Sequence, residues 1–328
     1  MGIKNLLKFL YNFSDIVKIK QISDFYNKRI AIDISILLYQ SVISIRNSGE
    51  DIKNKDGYVI SHILGLINKI MNLLNSGILP VFVFDGKPPS IKKKLLTLRK
   101  ELKNKAYEKY EQSSHVNDKI KFFKRCVSIN KEQMDDCREL LDLMGLPYIN
   151  APEEADSVLA NLSRNDLVYA VLTEDMDILT FGAKRIIRNV IQYNKPILEI
   201  NLMDITNTLK ITHKEFVDLC IYFGCDYCQV TNTNNLTHIE IYDIYKKNNN
   251  ALKTLIVQDI DEHNNAKNYF ISQYNDNTLY DIEFKQPDVE KLIELLKTKY
   301  CFTLNNAKYK VGKLLHHYNI FHKKYIKS

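Results

Sequence analysis

Carboxylates that close apolar segments are the residues of this 328-residue chain best suited to chemistry. Short apolar segments bounded by turn residues are typical of buried β-strands. The helical patterns between them predict an α/β fold with a mostly parallel central sheet flanked by helices. In such a sheet, ligands bind in the crevice outside the carboxyl ends of the strands. Three segments end in acids that we expect to converge there: Asp33, Asp85, and the pair Asp175 and Asp177.

Three further acids can join this group. Glu154 and Asp156 lie in a helix that is predicted to open at Pro152, and Asp226 follows a helix that ends at Gly224. Seven carboxylates in one cleft repel one another strongly unless cations bind between them. An oxygen-only ligand set suits Mg²⁺ or Mn²⁺, and two such ions can hold the attacking and leaving oxygens of a phosphoryl displacement.

Each acid also has a structural explanation. An Asp at a strand end, such as Asp33, can cap the helix that follows. Acids in a first helical turn, such as Glu153 and Glu154, are stabilised by the helix dipole. Taken one at a time, these structural explanations are the stronger ones. The pattern shared by three strands weakens the structural explanations, and from spacing alone a metal-dependent site is an equal alternative.

The positive charge is concentrated in one segment. The net charge is +7, but residues 87–131 carry fourteen Lys or Arg and only four Asp or Glu, a local charge of +10. This basic arm predicts a polyanionic partner. No apolar run approaches the ~18 residues of a membrane helix. The six cysteines are scattered, which suits a reducing compartment, and the pair Cys225 and Cys228 lacks the second pair that a zinc site needs.

Six motifs resemble those of the flap endonucleases, a family of structure-specific 5′ nucleases. In chain order they are MGIKNLLK, AIDIS, VFVFDGKPPSIKK, APEEADS, TEDMDILTFG and FVDLCIYFGCDYC. The resemblance covers roughly residues 1–228 and implies a PIN-like 5′ nuclease fold. No long insertion separates the two nuclease halves, so the chain is more similar to the flap enzyme than to the excision nuclease.

The resemblance implies roles for individual residues. Two divalent ions would be bound by Asp33, Asp85, Glu154, Asp156, Asp175, Asp177 and Asp226, with Asp156 standing where the family usually has Glu. Lys92 and Arg99 match the catalytic basic residues of a helical arch; seven residues apart, they span about two helical turns and can face the same side. DNA contacts would be made by Gly2, Tyr39, Arg46, Lys69, Glu154, Gly224 and Asp226.

The resemblance also predicts how the chain is divided and where it departs from the family. We expect a nuclease core over 1–228 with the arch at about 90–130, a degenerate helical hairpin over 211–248, and a helical region over 249–328. The hairpin sequence QVTNTNNLTHIEIYDIY lacks the family's Gly-x-Gly turn, proline and lysine, which puts its K⁺ site and its duplex grip in doubt. Candidates to replace the turn glycines are Asn232, Asn234 and Asn235. The chain's last residues contain no sliding-clamp peptide.

The predicted function is that of a Mg²⁺-dependent 5′ flap endonuclease and 5′–3′ exonuclease of DNA replication and repair, with two Mg²⁺ ions and Mn²⁺ as a substitute. We expect a monomer that acts on branched or 5′-flap DNA and binds no membrane. It would work inside the cell, in the nucleus or, if virus-encoded, at the replication site. Two alternatives stay open: a related 5′ nuclease that prefers junctions or RNA, and a non-catalytic DNA-binding scaffold.

Overall fold

The chain folds as two compact units, each built from three segments. The computed structural model describes residues 2–45, 51–113, 115–190, 195–228, 230, 236–247 and 260–325. The first unit comprises Met1–Asp24, Asp85–Leu95 and Ala151–Tyr280. The second comprises Phe25–Phe84, Leu96–Asn150 and Asp281–Ser328. The predicted division into core, hairpin and C-terminal region stays a prediction.

Seven strands and thirteen α-helices lie within the described residues. The strands are β1 Val17–Lys20, β2 Arg29–Asp33, β3 Leu79–Phe84, β4 Tyr148–Asn150, β5 Ala170–Leu172, β6 Arg185–Arg188 and β7 Ile197–Asn201. The helices are α1 Leu6–Leu10, α2 Ile34–Ile45, α3 Ser61–Asn75, α4 Lys93–Gln112, α5 Val116–Arg125, α6 Lys131–Met144, α7 Ala155–Arg164, α8 Leu202–Leu209, α9 His213–Phe223, α10 His238–Lys247, α11 Ile260–Tyr274, α12 Val289–Thr298 and α13 Leu304–Tyr325.

The first unit contains four strands in the order β1-β7-β6-β5. β5 and β6 are parallel, with Val171 opposite Ile186, whereas β7 is antiparallel to both β6 and β1. All three residues of β5 are buried, as expected for an apolar strand covered on both faces. This burial fixes the point at which the chain leaves the sheet, and Asp175 and Asp177 follow directly from there.

The second unit contains three parallel strands in the order β2-β3-β4. Every side chain of β3 is buried, and α2 packs against α3 beside these strands. In this register Asp33, the last residue of β2, lies opposite Val83. The acid therefore stands at the carboxyl end of its strand, as the sequence predicted.

The predicted fold class is confirmed: mostly parallel strands alternate with helices. The basic arm contains α4 and α5, and the described part of residues 249–328 contains α11, α12 and α13, with a non-helical stretch between α11 and α12. No helix within the described residues is both long and apolar enough to cross a bilayer. The hairpin turn, including Asn232, Asn234 and Asn235, lies outside the described residues.

Candidate active site

The turn after β5 carries two carboxylates, of which Asp175 is half-buried and Asp177 is buried. The backbone N–H of Asp175 donates to Thr173 Oγ1 at 2.9 Å, which fixes the turn. Asp177 is only 1% exposed. Among the described residues, no hydrogen-bond donor reaches either carboxylate oxygen of Asp177 or Oδ1 of Asp175. Burial raises the pKa of Asp177 well above its usual range, and the negative charges of Asp175 and Asp156 raise it further.

Glu154, at the start of α7, is a third carboxylate, and both of its oxygens have partners. Asp85, directly after β3, accepts the backbone N–H of Ala155 at 2.9 Å and so satisfies a donor at the helix N-terminus. The side chain of Glu154, the N-cap residue, is therefore available for other contacts. Its Oε1 lies 2.7 Å from Lys92 Nζ, and its Oε2 accepts the hydroxyl of Tyr227 at 2.7 Å.

The predicted start of this helix at Pro152 is wrong, because α7 begins at Ala155. The preceding backbone is engaged elsewhere: the Glu153 carbonyl accepts the N–H of Gly86 at 2.5 Å. This bond joins the segment to the loop that carries Asp85 and holds it outside the helix. The dipole role expected for Glu153 is therefore also wrong; its side chain accepts the hydroxyl of Tyr269 at 3.1 Å.

Lys92 is a buried cation within this group of acids. It is 5% exposed, and its ammonium lies 4.5 Å from the centre of the Tyr227 ring as well as against Glu154. Burial on its own lowers the pKa of Lys92. The negative charges of Asp156, Glu154 and Asp177 outweigh burial, so the pKa is raised and the side chain stays charged.

Glycine is required where the start of the chain meets the buried carboxylates. Gly2 has φ +77°, in the left-handed region that favours glycine. A Cβ placed on it would overlap Oδ1 of Asp175 and lie 3.2 Å from Oδ1 of Asp177. The backbone at residue 2 therefore lies closer to these carboxylates than it could if residue 2 carried a Cβ atom.

Asp226 is half-buried in a turn that follows α9. The helix ends because Gly224 adopts φ +97°, and the Gly224 carbonyl then accepts the N–H of Lys4 at 3.0 Å. A β-bridge between Cys225 and Cys228 closes the turn around Asp226 and Tyr227. Six of the seven predicted metal ligands thus belong to the first unit, and they lie at four helix or strand ends.

The donor set fits a hard divalent cation. Buried carboxylate oxygens without donors are costly, and a cation removes that cost. The ligand atoms are all oxygen, which Mg²⁺ and Mn²⁺ prefer. In the described residues, no three Asp, Glu, His or Cys side chains already converge at metal-ligand geometry. One physical reason is that Lys92 and Tyr227 hold both oxygens of Glu154.

The second unit holds Asp33 and Tyr39. Asp33 is buried and accepts the backbone N–H of Ser35 at 2.7 Å, so the predicted helix-capping contact is present. Tyr39 on α2 is 40% exposed, which rules out simple core packing. An exposed aromatic ring at this position is suited to stacking on a base.

The predicted basic contacts differ in their settings. Lys69 on α3 is half-buried, and burial lowers its pKa. Arg99 is half-buried on α4. Lys92 closes the 3-10 turn Ser90–Lys92, which leads directly into α4, and Arg99 lies on α4. That the two basic residues face the same side stays a prediction. Arg46 lies outside the described residues.

Two tyrosines went unnoticed in the sequence. Tyr227 contacts both Glu154 and Lys92, and Tyr269 binds Glu153. The position of Tyr227 directly after Asp226 was the available signal. Its partner Glu154 lies 73 residues away in the chain, so the contact itself could not be inferred from spacing.

Two family models match the chain. The XPG N-terminal domain matches residues 1–106, and the XPG I-region matches residues 145–226. The second match contains Glu154, Asp175 and Asp177, and the first contains Asp85 and Lys92. The fold and the carboxylate site therefore define an XPG-type nuclease.

Full-length relatives narrow this class. The chain is 34% identical to flap endonuclease 1 of Danio rerio over 312 residues, 90% of the chain and 82% of that protein. It is 41% identical to flap endonuclease 1-A of Oryza sativa subsp. japonica over 236 residues, 70% and 62% of the two chains. The solved structure of flap endonuclease-1 from Methanococcus jannaschii matches with a TM-score of 0.71 and 26% identity, covering 92% of this chain and 96% of that one.

The chain belongs to the flap endonuclease family. The resemblance drawn from the sequence motifs is thereby confirmed. The predicted function, a structure-specific 5′ flap endonuclease of DNA replication and repair, is confirmed with it.

Proposed function

We propose that this chain cuts the phosphodiester bond at the base of 5′ single-stranded flaps on branched DNA, and that it also acts as a 5′–3′ exonuclease. The observation that carries the proposal is a pair of neighbouring carboxylates, the half-buried Asp175 and the buried Asp177, which have buried oxygens without donors close to the buried cation Lys92. Buried charges of this kind gather at functional sites, because the fold gains nothing from them.

The cofactor in this proposal is a pair of Mg²⁺ ions, with Mn²⁺ as a substitute. When bound, two such ions activate water and stabilise the leaving oxygen of a phosphoryl displacement. The residues that would hold them in the first unit are Asp85, Glu154, Asp156, Asp175, Asp177 and Asp226. Asp33 is assigned to the same role by the family resemblance.

The chain's own residues prepare the site for a phosphate. Lys92 keeps its charge despite burial, so it can neutralise the negative charge that develops on the scissile phosphate. Glu154 holds that ammonium at 2.7 Å and limits the positions it can take. Gly2 leaves room at Asp175 that any side chain would fill.

DNA contacts follow from the exposed and basic residues. Tyr39 would stack on a base of the single strand, and Lys69, Arg46 and Arg99 would contact phosphates. The backbone at Gly224, together with Glu154 and Asp226, is assigned to the DNA junction by the family resemblance. The arm formed by α4 and α5 supplies the concentrated positive charge that attracts the flap.

We further propose that the protein acts as a monomer, without a sliding-clamp peptide. Its place of action would be the nucleus or, for a virus-encoded chain, the replication site. The altered hairpin sequence supports a duplex grip weaker than that of the family.

The deciding experiment is cleavage of an end-labelled 5′-flap duplex in Mg²⁺ and in EDTA. Asp175→Ala is expected to abolish cleavage and to leave flap binding largely intact. Asp204→Ala is the matched control, because Asp204 is a carboxylate of the same unit whose partner is the exposed Lys18 at 2.7 Å. Cleavage by the control should equal that of the unaltered chain.

Each outcome separates the candidate functions. Mg²⁺-dependent cutting near the flap base supports the proposal. Preferential cutting of four-way junctions or RNA would replace it with the related-nuclease alternative. Flap binding without cleavage in Mg²⁺ or Mn²⁺ would favour the scaffold. Cleavage retained by Asp175→Ala would overturn the metal-site assignment.

A further inference from the structure

Tyr227 lies at the centre of the contacts that fix the catalytic end of α7. Its side chain is 2% exposed, and its hydroxyl donates to Glu154 Oε2 at 2.7 Å. The face of its ring lies 4.5 Å from Lys92 Nζ. Because Lys92 also contacts Oε1 of Glu154, the three side chains touch one another pairwise.

The Tyr227 ring is held firmly by its neighbours. Phe270 packs edge-on against it at 4.9 Å between ring centres, and Phe181 does so at 6.1 Å. Tyr269 lies 5.1 Å away on the same helix as Phe270. Such edge-to-face packing orients a ring as well as burying it. The hydroxyl of Tyr227 is therefore fixed in direction towards Glu154.

We propose that Tyr227 is a positioning residue of the nuclease site, which holds the Glu154 carboxylate through its hydroxyl and the Lys92 ammonium through its ring. This inference rests on the proposed function, since it assigns Glu154 and Lys92 their roles there. Its chemistry is that of an outer contact that orients a ligand carboxylate. Loss of such contacts typically costs about 10- to 100-fold in metal affinity or activity.

The chain offers a matched control in Tyr269. Both tyrosines belong to one aromatic cluster, and both donate to a carboxylate at the start of α7. Tyr269 donates to Glu153, which has no place in the proposed site. Removing either hydroxyl therefore removes the same kind of bond from the same cluster.

The test compares Tyr227→Phe with Tyr269→Phe in the full chain. Mn²⁺ affinity is measured by electron paramagnetic resonance without DNA, and kcat and KM are measured on the 5′-flap duplex. We expect Tyr227→Phe to lower Mn²⁺ affinity or kcat by about 10-fold or more with KM within about 2-fold, and Tyr269→Phe to change neither by more than about 2-fold. Equal effects of the two variants would overturn the proposal.

A double-mutant cycle separates positioning from general packing. If the hydroxyl acts through Glu154, adding Tyr227→Phe to Glu154→Gln should change Mn²⁺ affinity far less than it does alone. Additive losses would overturn the proposal. Far-ultraviolet circular dichroism and urea unfolding identify a variant that fails to fold, and Tyr227→Trp then serves as a second variant that keeps a ring beside Lys92 without the hydroxyl. If the unaltered chain binds Mn²⁺ but cuts no flap, the proposed function fails while the Mn²⁺ comparison still tests Tyr227.

Discussion

Replacing Asp177 with asparagine should stabilise the metal-free protein while abolishing cleavage. The two side chains have nearly the same shape, but the asparagine amide carries no charge. In the described structure Asp177 is buried, accepts no hydrogen bond at either oxygen, and lies in the field of Asp175 and Asp156. In the metal-free protein the ionised carboxylate of Asp177 therefore destabilises the fold unless it takes up a proton, and a bound cation removes that cost.

The size of the effect follows from the charge that is removed and from the unmet Oδ1 of Asp175, to which an asparagine N–H can donate. A buried acceptor without a donor costs about 1–3 kcal/mol, and more when it is charged. In EDTA we therefore expect Asp177→Asn to raise the free energy of unfolding by about 1–3 kcal/mol. A ligand at 100 times its dissociation constant adds about 2.7 kcal/mol to the stability of the form that binds it. Saturating Mg²⁺ should add this to the unaltered chain and little to the variant, so the difference should vanish or reverse.

The assay is urea unfolding followed by circular dichroism, in EDTA and in saturating Mg²⁺. Asp136→Asn is the control, since it makes the same change at a buried aspartate whose oxygens are all engaged. Tyr58 donates to Asp136 at 2.6 Å, His62 Nε2 lies 3.1 Å away, and Lys299 Nζ lies 2.7 Å away. This variant should lose about 1–3 kcal/mol in both buffers.

The ion-binding role of Asp177 is refuted if Asp177→Asn unfolds more easily than the unaltered chain in EDTA. That result would mean that the fold accommodates the carboxylate without a cation. A stability difference that does not depend on Mg²⁺ would equally remove Asp177 from the ion-binding set.

Three further outcomes are expected. Gly2→Ala should lower kcat on flap DNA by about 10-fold or more, because its Cβ would displace Asp175, and circular dichroism should show the fold intact. Burial raises the pKa of Asp136, but bonds from His62, Lys299 and Tyr58 outweigh it and hold that pKa below its ordinary value. The stability that Asp136 contributes is therefore fully present above about pH 4 and is lost as the pH falls through the lowered pKa; urea unfolding between pH 2 and 6 should show this loss in the unaltered chain and not in Asp136→Asn. Tyr39→Ala should weaken flap binding by about 1–3 kcal/mol in a binding titration while leaving the urea midpoint unchanged.

The parts of the fold that could be predicted are those whose burial is complete. β2 and β3 are continuous apolar runs, and all but the first of their eleven residues are buried. Four strands, β1, β4, β6 and β7, were not predicted from the sequence. Two of them, β1 and β6, read VKIK and RIIR and have only two apolar residues among charged ones. Those strands form because β7 and β5 pair with them, which is tertiary information.

The strand ends that carry Asp33, Asp85 and Asp175 were predictable for the same reason, because buried strands fix where the chain turns. That these acids bind metal together stays a prediction. The start of α7 was predicted wrongly. Pro152 is a good first helical residue only if the backbone next to it makes no hydrogen bonds with another segment. Here the N–H of Gly86 donates to the carbonyl of Glu153, and a Cβ on Gly86 would overlap the carbonyl of Ala151. A close approach between segments 65 residues apart leaves no local signal apart from the glycine itself.

Lys92 and the acids around it depend on each other's charge, so replacing either partner alone destabilises the site. Lys92 stays ionised in a buried place only because Asp156, Glu154 and Asp177 surround it, and Glu154 is satisfied only because Lys92 and Tyr227 take its two oxygens. Removing one partner of a buried pair leaves an uncompensated charge, which costs about 3–5 kcal/mol. Asp177 shares the field of Lys92, but no donor among the described residues bonds to either of its oxygens. The contacts of Lys92 and Tyr227 hold Glu154 in place directly, whereas the oxygens of Asp177 are left for a proton or a bound cation.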